Sequence, residues 1–329
     1  MQFDRYEESA ERKRLSGTLQ PRGTQTGLPS FGMFLFGLPF FGFGIWAALA
    51  GLKLVPLDES KLHAPHWVLT MVGVVFALAG VMVWGMGWRQ FKANKRRAEL
   101  GMRDPVLADF AWDERGFTPP RWSSAAKGIG GAIFFALFLS MFNWWAFSAK
   151  GPWMVKIIVG VFDLIWLLVA WLACVRVGRT LKFGPSRIEF ARFPFHPGET
   201  VSLHWVVPNG LTQAAKGTFT LRCVEEWYET RGSGKNRRKH LVQEAVWDAT
   251  GHLEQSRTLT PGRPEELRFA IPAEAIGTRM NAKDTKPVFW ELVIELDLAG
   301  LDFKESYLVP IYRKEGSNFG ELPPMQLKQ

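Results

Sequence analysis

Four long apolar segments limit what this chain can fold into more than any other feature of its sequence. A helix needs about 20 consecutive apolar residues to cross the hydrocarbon core of a bilayer. The segments that meet this requirement are 31–55, 67–88, 128–149 and 153–175. The polar stretch 1–30 precedes them, and no small-residue cleavage site follows a short apolar core, so none is predicted to be a signal peptide. The sequence therefore predicts a domain of four transmembrane α-helices over 31–175.

The distribution of Lys and Arg predicts how these spans are oriented. Five basic residues precede the first span, nine lie between the second and the third, and three directly follow the fourth. Near the two remaining connections lie only Lys53, at the end of the first span, with Lys61, and Lys150. Because cytoplasmic loops carry the excess of Lys and Arg, both termini and loop 89–127 are predicted to be cytoplasmic, in a multi-pass protein of the inner (plasma) membrane. The same rule accounts for the formal net charge of +9, so nucleic acid is not expected as a partner.

Asp163 is the single carboxylate inside a predicted span. It follows Trp153 by ten residues, which at about 1.5 Å per residue brings it close to the middle of the membrane. Ser140 on the third span is expected at a similar depth, with Asn143 about one turn outward. Two interpretations stay open. Asp163 belongs to an ion or proton path, or it joins the third and fourth spans by hydrogen bonding.

The first span is rich in glycine and contains a proline. Its small residues predict close packing against another helix, and its proline predicts a kink. These residues are Gly32, Gly37, Pro39, Gly42 and Gly44. The glycine-rich faces of the first and third spans also permit a homo-oligomer without requiring one.

The segments outside the predicted spans are less regular. Segment 1–30 is predicted to begin with a short charged helix and to continue as a flexible lead toward the membrane. Loop 89–127 continues the second helix and breaks at Pro105. It then contains four aromatic residues among charges, which lie either on the membrane surface or against the soluble domain. They are Phe110, Trp112, Phe117 and Trp122.

From Val177 onward, continuous apolar runs give way to alternating patterns separated by turn signals. Within 288–298, Trp290, Leu292 and Ile294 alternate with acidic residues, which predicts one buried and one solvent-exposed face. Seven such segments without a long helical pattern are typical of a β-sandwich. They are 187–193, 200–207, 218–229, 239–248, 266–271, 288–298 and 303–312. We therefore expect an all-β domain over 176–313, followed by a tail, 314–329.

Several short motifs in this region resemble the arrestin-like family. Pro197–Val201 is similar to the Gly-Glu-x-Val turn that leads into the second strand of that fold, and Leu221–Glu225 looks like its third strand. Phe269–Pro272 and Tyr307–Ile311 resemble its later strand endings. Together with the spans, the chain resembles bacterial multi-pass inner-membrane proteins with a C-terminal arrestin-like domain, in which a tryptophan-opened strand ends in Gly-x-Asp, here Trp290–Asp302. The resemblance implies an arrestin-like, immunoglobulin-like β-sandwich and an adaptor role, and it implies no catalytic residue.

A basic segment between the third and fourth candidate strands is a candidate binding site. Its Gly-Ser-Gly sequence is typical of a flexible hairpin tip. In the cytoplasm its cations are available to an acidic protein partner or to anionic lipid headgroups. The alternative is a solvated loop that keeps a hairpin edge from aggregating. The cations are Arg231, Lys235, Arg237, Arg238 and Lys239.

The sequence contains no pattern typical of an active site, a metal site or a cofactor site. It has no Gly-rich phosphate loop, no Ser-His-Asp or Cys-His constellation, and no cluster at metal-ligand spacing. We therefore expect no catalytic residue, no metal and no cofactor, and we interpret Cys174 and Cys223 as buried free thiols.

These observations favour a membrane-anchored adaptor or scaffold whose cytoplasmic domain docks a protein partner. Two alternatives remain open. One is an ion-coupled transporter or channel-like protein that uses Asp163. The other is an enzyme at the membrane interface, for which the candidate residues are Asp109, Asp113, Glu114 and Arg115.

Overall fold

The computed structural model of the chain describes residues 1–16, 21–23, 30–56, 65–100, 103–147, 152–214, 216–233, 237–280, 286–298 and 300–314. They form two compact units. We call the first the helical unit, which contains 26–101 and 120–182, and the second the β unit, which contains 1–25, 102–119 and 183–329. The β unit is therefore assembled from three separate segments, two of which lie outside the predicted range 176–313, whereas residues 176–182 of that range belong to the helical unit. Most of the predicted tail, from 315 onward, lies outside the described residues.

The helices of the described chain are α1 (Ser30–Gly51), α2 (His66–Leu100), α3 (Pro105–Asp109), α4 (Arg121–Phe147) and α5 (Trp153–Phe183). Of these, α1, α2, α4 and α5 are long and apolar enough to cross a membrane, which confirms the four apolar helices predicted from the sequence. With 35 residues, α2 is about 52 Å long and continues about three turns past its predicted span.

Glycines line the contact between α1 and α2. They recur every seven residues, at Gly37, Gly44 and Gly51 on α1 and at Gly73, Gly80 and Gly87 on α2. A Cβ atom at Gly44 would collide with the backbone of Ala77, and one at Gly73 with the backbone of Ala48. Because a seven-residue spacing keeps a stripe facing one neighbour, the two backbones approach closely along the helices. Close packing predicted for the first span thus occurs at Gly37 and Gly44, whereas Gly42 faces open space.

The strands of the β unit fall into antiparallel sheets. A six-stranded sheet has the order β1-β8-β7-β11-β12, with β2 also paired to β8. A four-stranded sheet has the order β10-β5-β4-β3, and β6 pairs with β9. The bounds are β1 (Arg5–Ser9), β2 (Lys13–Arg14), β3 (Gly116–Phe117), β4 (Arg187–Phe190), β5 (Thr200–Val206), β6 (Gln213–Ala214), β7 (Lys216–Arg231), β8 (Arg238–Leu253), β9 (Arg257–Thr258), β10 (Pro264–Ala270), β11 (Val288–Asp297) and β12 (Phe303–Val309). Each of the seven predicted strand segments overlaps one of these strands, and β7 and β8 extend past both ends of the segments predicted for them.

One main hydrophobic core joins the two larger sheets. Trp205 and Phe269 enter it from the four-stranded sheet, and Phe219, Trp290 and Tyr307 enter it from the six-stranded sheet. The Trp205 indole N–H donates to the Tyr307 hydroxyl at 3.2 Å, so the polar atoms of these rings are paired inside the core.

The opposite face of the six-stranded sheet, which carries Val224, Phe289 and Leu308, is here called the outer face. The alternation in β11 predicts that this face meets solvent. Instead, Glu291 is 4% exposed and Phe289 is 1% exposed. The prediction is wrong because segments distant in sequence cover the outer face: Leu15 from the N-terminal segment and Leu107 from the loop after α2 pack beside these strands.

The N-terminal segment is part of the β unit. Arg5–Ser9 forms β1 where the sequence predicted a short charged helix, and it pairs antiparallel with β8 from Asp248 to His252. Phe3 packs against the main core. A helix this short is marginal in water, whereas the edge of β8 offers a row of backbone partners, so the strand is the more stable local structure.

The loop between α2 and α4 packs on the β unit, which decides between the two interpretations of its aromatic residues. Phe110, Trp112 and Phe117 contact a second hydrophobic cluster on the outer face. The segment is shaped locally by α3, whose N-cap Asp104 accepts from the Leu107 N–H at 3.0 Å. Trp122 behaves differently: it is 58% exposed and belongs to α4.

Candidate functional site

The hairpin of β7 and β8 projects beyond the rest of its sheet. β11 begins at Val288, opposite Glu225, whereas β7 and β8 stay paired as far as Arg231 opposite Arg238. The part beyond Glu226, here called the ribbon (residues 227–242), is therefore two-stranded. It contains five Lys and Arg residues and one acidic residue, Glu229. The segment predicted as a basic hairpin is thus a basic extension of two central strands.

The predicted binding residues lie at the end of this ribbon. Arg237, Arg238 and Lys239 are exposed. Arg231 is also exposed and donates to Glu229 on its own strand at 2.9 and 3.1 Å. That hydrogen bond lowers the pKa of the Glu229 carboxyl, which keeps it ionised. Lys235 lies outside the described residues. The tip therefore combines one internal ion pair with a row of exposed cations.

One side of the ribbon also carries an aromatic ring with a cation above it. The Lys286 ammonium lies 3.7 Å from the centroid of the Trp227 ring, and Tyr228 beside it is 38% exposed. A cation over an indole face is favourable by about 0.5–1 kcal/mol at an exposed site. The base of the ribbon is thus partly apolar and its tip is cationic.

The three polar residues predicted inside the membrane are only partly brought together. Asn143 Nδ2 on α4 donates to Asp163 Oδ1 on α5 at 2.8 Å. Ser140 Oγ donates instead to the Leu137 carbonyl of its own helix at 2.7 Å. A second bond between the same two helices runs from Trp166 Nε1 to the Ala132 carbonyl at 2.9 Å. In this arrangement Asp163 acts as a hydrogen-bond link between α4 and α5.

Replacing Asp163 with Asn is expected to leave the helical unit folded, because an amide oxygen accepts the Asn143 bond as a carboxylate does. Replacing it with Leu is expected to lower the free energy of unfolding by about 1 kcal/mol. Unfolding of the detergent-solubilised protein by SDS measures both, with Ser140→Ala as the control. Equal destabilisation by Asn and by Leu would contradict this assignment and show that the carboxyl group itself is required.

The structure contains a polar cluster that the sequence did not indicate. Glu226 on β7 is fully buried. Its Oε2 accepts from the Arg22 backbone N–H at 3.0 Å and from Gln243 Nε2 at 2.7 Å, and its Oε1 accepts from the Gly23 backbone N–H at 3.0 Å. Each oxygen of the buried Glu226 side chain therefore has a donor, as a buried polar group requires.

Glu291 on β11 extends this cluster. Its Oε1 accepts from Arg222 Nε and Nη2 at 2.8 and 2.5 Å, and its Oε2 accepts from Ser306 Oγ at 2.5 Å. Arg22 Nη2 lies 3.3 Å from Ser306 Oγ and 3.9 Å from Glu291 Oε2. The side chain and the backbone of Arg22 thus reach two different carboxylates.

A second contact of the N-terminal segment lies at the base of the ribbon. Glu225 and Glu244 are directly opposite each other on β7 and β8, a pairing of like charges that is unfavourable by itself. Arg12 Nη1 lies 3.1 Å from Glu225 Oε2 and 3.0 Å from Glu244 Oε2. The guanidinium bridges the two carboxylates and neutralises their repulsion.

Three of the four residues considered for a membrane-interface enzyme, Asp109, Asp113 and Arg115, have structural contacts, and Glu114 is exposed. Asp109 Oδ2 accepts from the Tyr312 hydroxyl at 2.9 Å and from the Met280 backbone N–H at 3.0 Å. Trp112 Nε1 donates to the same hydroxyl at 3.0 Å. Burial, followed by the neighbouring Asp109, raises the pKa of Tyr312, which keeps it a hydroxyl donor. Asp113 accepts from the Arg115 backbone N–H. The contacts of Asp109 and Trp112 attach the loop to the rest of the β unit.

Both cysteines are free thiols, and they differ in exposure. Cys223 is buried, as predicted, and burial raises its pKa. Cys174 is exposed on α5, so the prediction of burial is wrong for it: the neighbouring Ala173 is the buried residue in this turn of the helix. Among the residues that the structure describes, no three His, Cys, Asp or Glu side chains are grouped so as to hold a metal ion.

No protein-family model and no curated protein matches the chain. Among solved structures it is similar to Spo0M, a sporulation control protein from Bacillus subtilis, with 16% sequence identity and a TM-score of 0.27. The match covers 39% of this chain and 48% of Spo0M, so the chain spans about half the length of that protein. At this TM-score the similarity carries no argument about function.

The sequence could have indicated part of the missed cluster. Two adjacent glutamates in a strand place one carboxylate on each face, and a carboxylate on a covered face needs a donor. The sequence does not indicate which group is that donor, because Arg22 and Glu226 are 204 positions apart.

Proposed function

We propose that this chain is a membrane-anchored adaptor of the bacterial inner membrane whose cytoplasmic β unit docks an acidic segment of a protein partner through the ribbon. We infer that the two larger sheets, which share one core, form a sandwich of the arrestin-like kind that the motifs between Pro197 and Ile311 resemble. A fold does not fix a function, so the proposal depends on the ribbon and on the topology.

The assembly of the β unit supports a one-sided topology. Its segments 1–25, 102–119 and 183–329 precede α1, connect α2 to α4, and follow α5. A folded unit lies on one side of a bilayer, so these segments are on the same side and each of the four helices begins or ends there. The excess of Lys and Arg around the same helix ends supports the cytoplasm as that side.

The ribbon has the properties of a docking element. Two paired strands present its side chains in fixed positions, which reduces the entropy lost when a partner binds. The exposed cations Arg237, Arg238 and Lys239 attract an acidic segment and favour its encounter. The projection of this cationic tip beyond β11 is the observation that carries the proposal.

The test is affinity capture of the full-length protein from native membranes in mild detergent, followed by mass spectrometry. The variant Arg237→Gln/Arg238→Gln/Lys239→Gln is compared with the unaltered chain. At about 0.5 kcal/mol for each exposed ion pair, loss of the three weakens the complex by about 1.5 kcal/mol, or about tenfold. We expect a reproducible partner with an acidic segment, lost from the variant and weakened by added salt.

A matched variant controls for the change in net charge. Lys216, Arg263 and Arg313 are also exposed and belong to other parts of the β unit. Replacing these three with Gln is expected to leave capture unchanged. A partner that both variants retain, or that both lose, would contradict a role for the ribbon, and a chain that captures nothing would contradict the adaptor function.

A further inference from the structure

On the outer face, the dipeptide Arg22-Gly23 is bound through its backbone and through the Arg22 side chain. Glu226 accepts the backbone N–H groups of both Arg22 and Gly23, one on each carboxylate oxygen. Ser306 accepts from the Arg22 guanidinium at 3.3 Å, and Glu291 lies within ion-pair distance of it. A backbone grip combined with a side-chain contact is how peptide-binding sites obtain affinity and specificity together.

The site also selects glycine at its second position. A Cβ atom on Gly23 would lie 2.6 Å from Pro287 Cγ, and 3.1 Å from Glu226 Oε1. Pro287 is fixed because its carbonyl accepts from the Glu226 backbone N–H at 2.9 Å. A larger residue at position 23 would therefore collide with Pro287 and with the Glu226 carboxylate that binds the backbone.

A separate observation also indicates a basic ligand. The opposed pair Glu225 and Glu244 needs a cation between them, and Arg12 supplies it from the same N-terminal segment. Lys13 and Arg14 beside it pair with the edge of β8 as β2. The segment is thus bound along a sheet edge at one point and through its Arg-Gly pair at another, with cations matched to carboxylates at both.

We propose that Glu226, Glu291, Gln243 and Ser306 form a recognition site for a basic peptide segment that carries an Arg-Gly pair, and that the N-terminal segment of this chain occupies the site in cis. The partner is a segment of another protein with the same chemistry, which binds when the N-terminal segment is displaced. This site is distinct from the tip of the ribbon and takes a ligand of opposite charge, so it does not depend on the proposed function.

The experiment uses the full-length protein in detergent and a fluorescein-labelled peptide of residues 10–25, AERKRLSGTLQPRGTQ. The site is opened in the variant Arg12→Ala/Arg22→Ala, which removes both cationic contacts in cis. We expect the opened variant to bind the peptide at least about tenfold more tightly than the unaltered chain, in which the site is occupied. Fluorescence anisotropy measures both affinities.

Two matched changes test the recognition itself. A peptide with Gly23→Val, and the opened variant with Glu226→Gln added, are each expected to bind about tenfold more weakly, since a charge-assisted hydrogen bond is lost or blocked. Equal binding of both peptides would overturn the proposal. So would an opened variant that keeps its circular dichroism and binds neither, or that forms a dimer without binding the peptide.

If the opened variant does not fold, Arg22→Ala alone is titrated with the same two peptides. This change leaves β1, β2 and the bridge from Arg12 in place. Selective binding of the Gly23 peptide supports the proposal in this chain too, and absence of selective binding overturns it. Neither result depends on whether the ribbon captures a partner, so the two proposals succeed or fail separately.

Discussion

Replacing Gly44 with Ala is expected to destabilise the helical unit by about 2 kcal/mol, although alanine is the better helix former. The added methyl group would collide with the Ala77 backbone N and lie 2.7 Å from both Ala77 Cα and the Gly73 carbonyl oxygen. Since backbone atoms on both sides cannot move independently, α1 and α2 must separate along their seam. Overpacking of this kind costs about 1–3 kcal/mol, more than the gain of about 1 kcal/mol in helix propensity.

The control for this prediction is on the same helix. A Cβ atom at Gly42 meets nothing within 4 Å, so Gly42→Ala is expected to be neutral or to stabilise by up to about 1 kcal/mol. SDS-induced unfolding of the two variants measures effects of opposite sign. Equal effects at the two positions would contradict the glycine seam between α1 and α2.

Replacing Trp112 with Ala is expected to destabilise the β unit by about 3–5 kcal/mol, as truncation of a buried tryptophan does. Trp112 is 9% exposed, its ring packs 4.8 Å from that of Phe110, and its indole N–H donates to the Tyr312 hydroxyl. Loss of the ring opens a cavity on the outer face and frees the loop between α2 and α4. Thermal unfolding and limited proteolysis of that loop measure the two consequences.

Trp122 provides the comparison, because it belongs to the same connection in sequence and is 58% exposed. Trp122→Ala is expected to change the unfolding temperature by less than about 2 °C and to leave the loop resistant to protease, as expected for a surface position. Similar destabilisation by both substitutions would contradict the docking of the loop through Trp112 on the β unit.

The sequence alone predicted the helices and strands whose pattern depends on residues close together in the chain. Apolar length predicted α1, α2, α4 and α5, and alternation predicted segments that overlap β4, β5, β7, β8, β10, β11 and β12. Both patterns arise because a residue's neighbours at three to four positions, or at two, share its face. Glycine content indicated close packing of the first span. The glycines of α1 and those of α2 are both spaced by seven residues, and only the packing of the two helices shows that the two series face each other.

The sequence did not predict which segments cover the outer face. Residues 1–16 look charged and irregular, and β1 forms only because the edge of β8, more than 230 residues away, supplies its backbone partners. The alternation in β11 predicted that Glu291 is exposed, and it is buried because distant segments cover the outer face. Contacts between residues so far apart in the chain produce no periodic pattern in the sequence of either segment.

The candidate sites divide in the same way. The cationic ribbon was visible as a run of charges, and its projection beyond β11 came from the pairing of the strands. Asp163 was expected to meet Ser140 or Asn143, and the structure selects Asn143 because Ser140 bonds to its own helix. Glu226 binds Arg22 and Gly23 through their backbone N–H groups. Because every residue except proline has such a group, the residue types in the sequence do not indicate this contact.

The side of the membrane on which each of the three segments of the β unit lies can be measured directly. Single cysteines at Glu11, Glu114 and Ser233 sample the N-terminal segment, the loop after α2 and the ribbon, and all three positions are exposed. Asp58, between the first two predicted spans, samples the other side. A membrane-impermeant maleimide is applied to right-side-out and to inverted vesicles. We expect labelling of the first three positions only in inverted vesicles and of Asp58→Cys only in right-side-out vesicles. Labelling of any one of the three from the outside would contradict a β unit assembled on the cytoplasmic face.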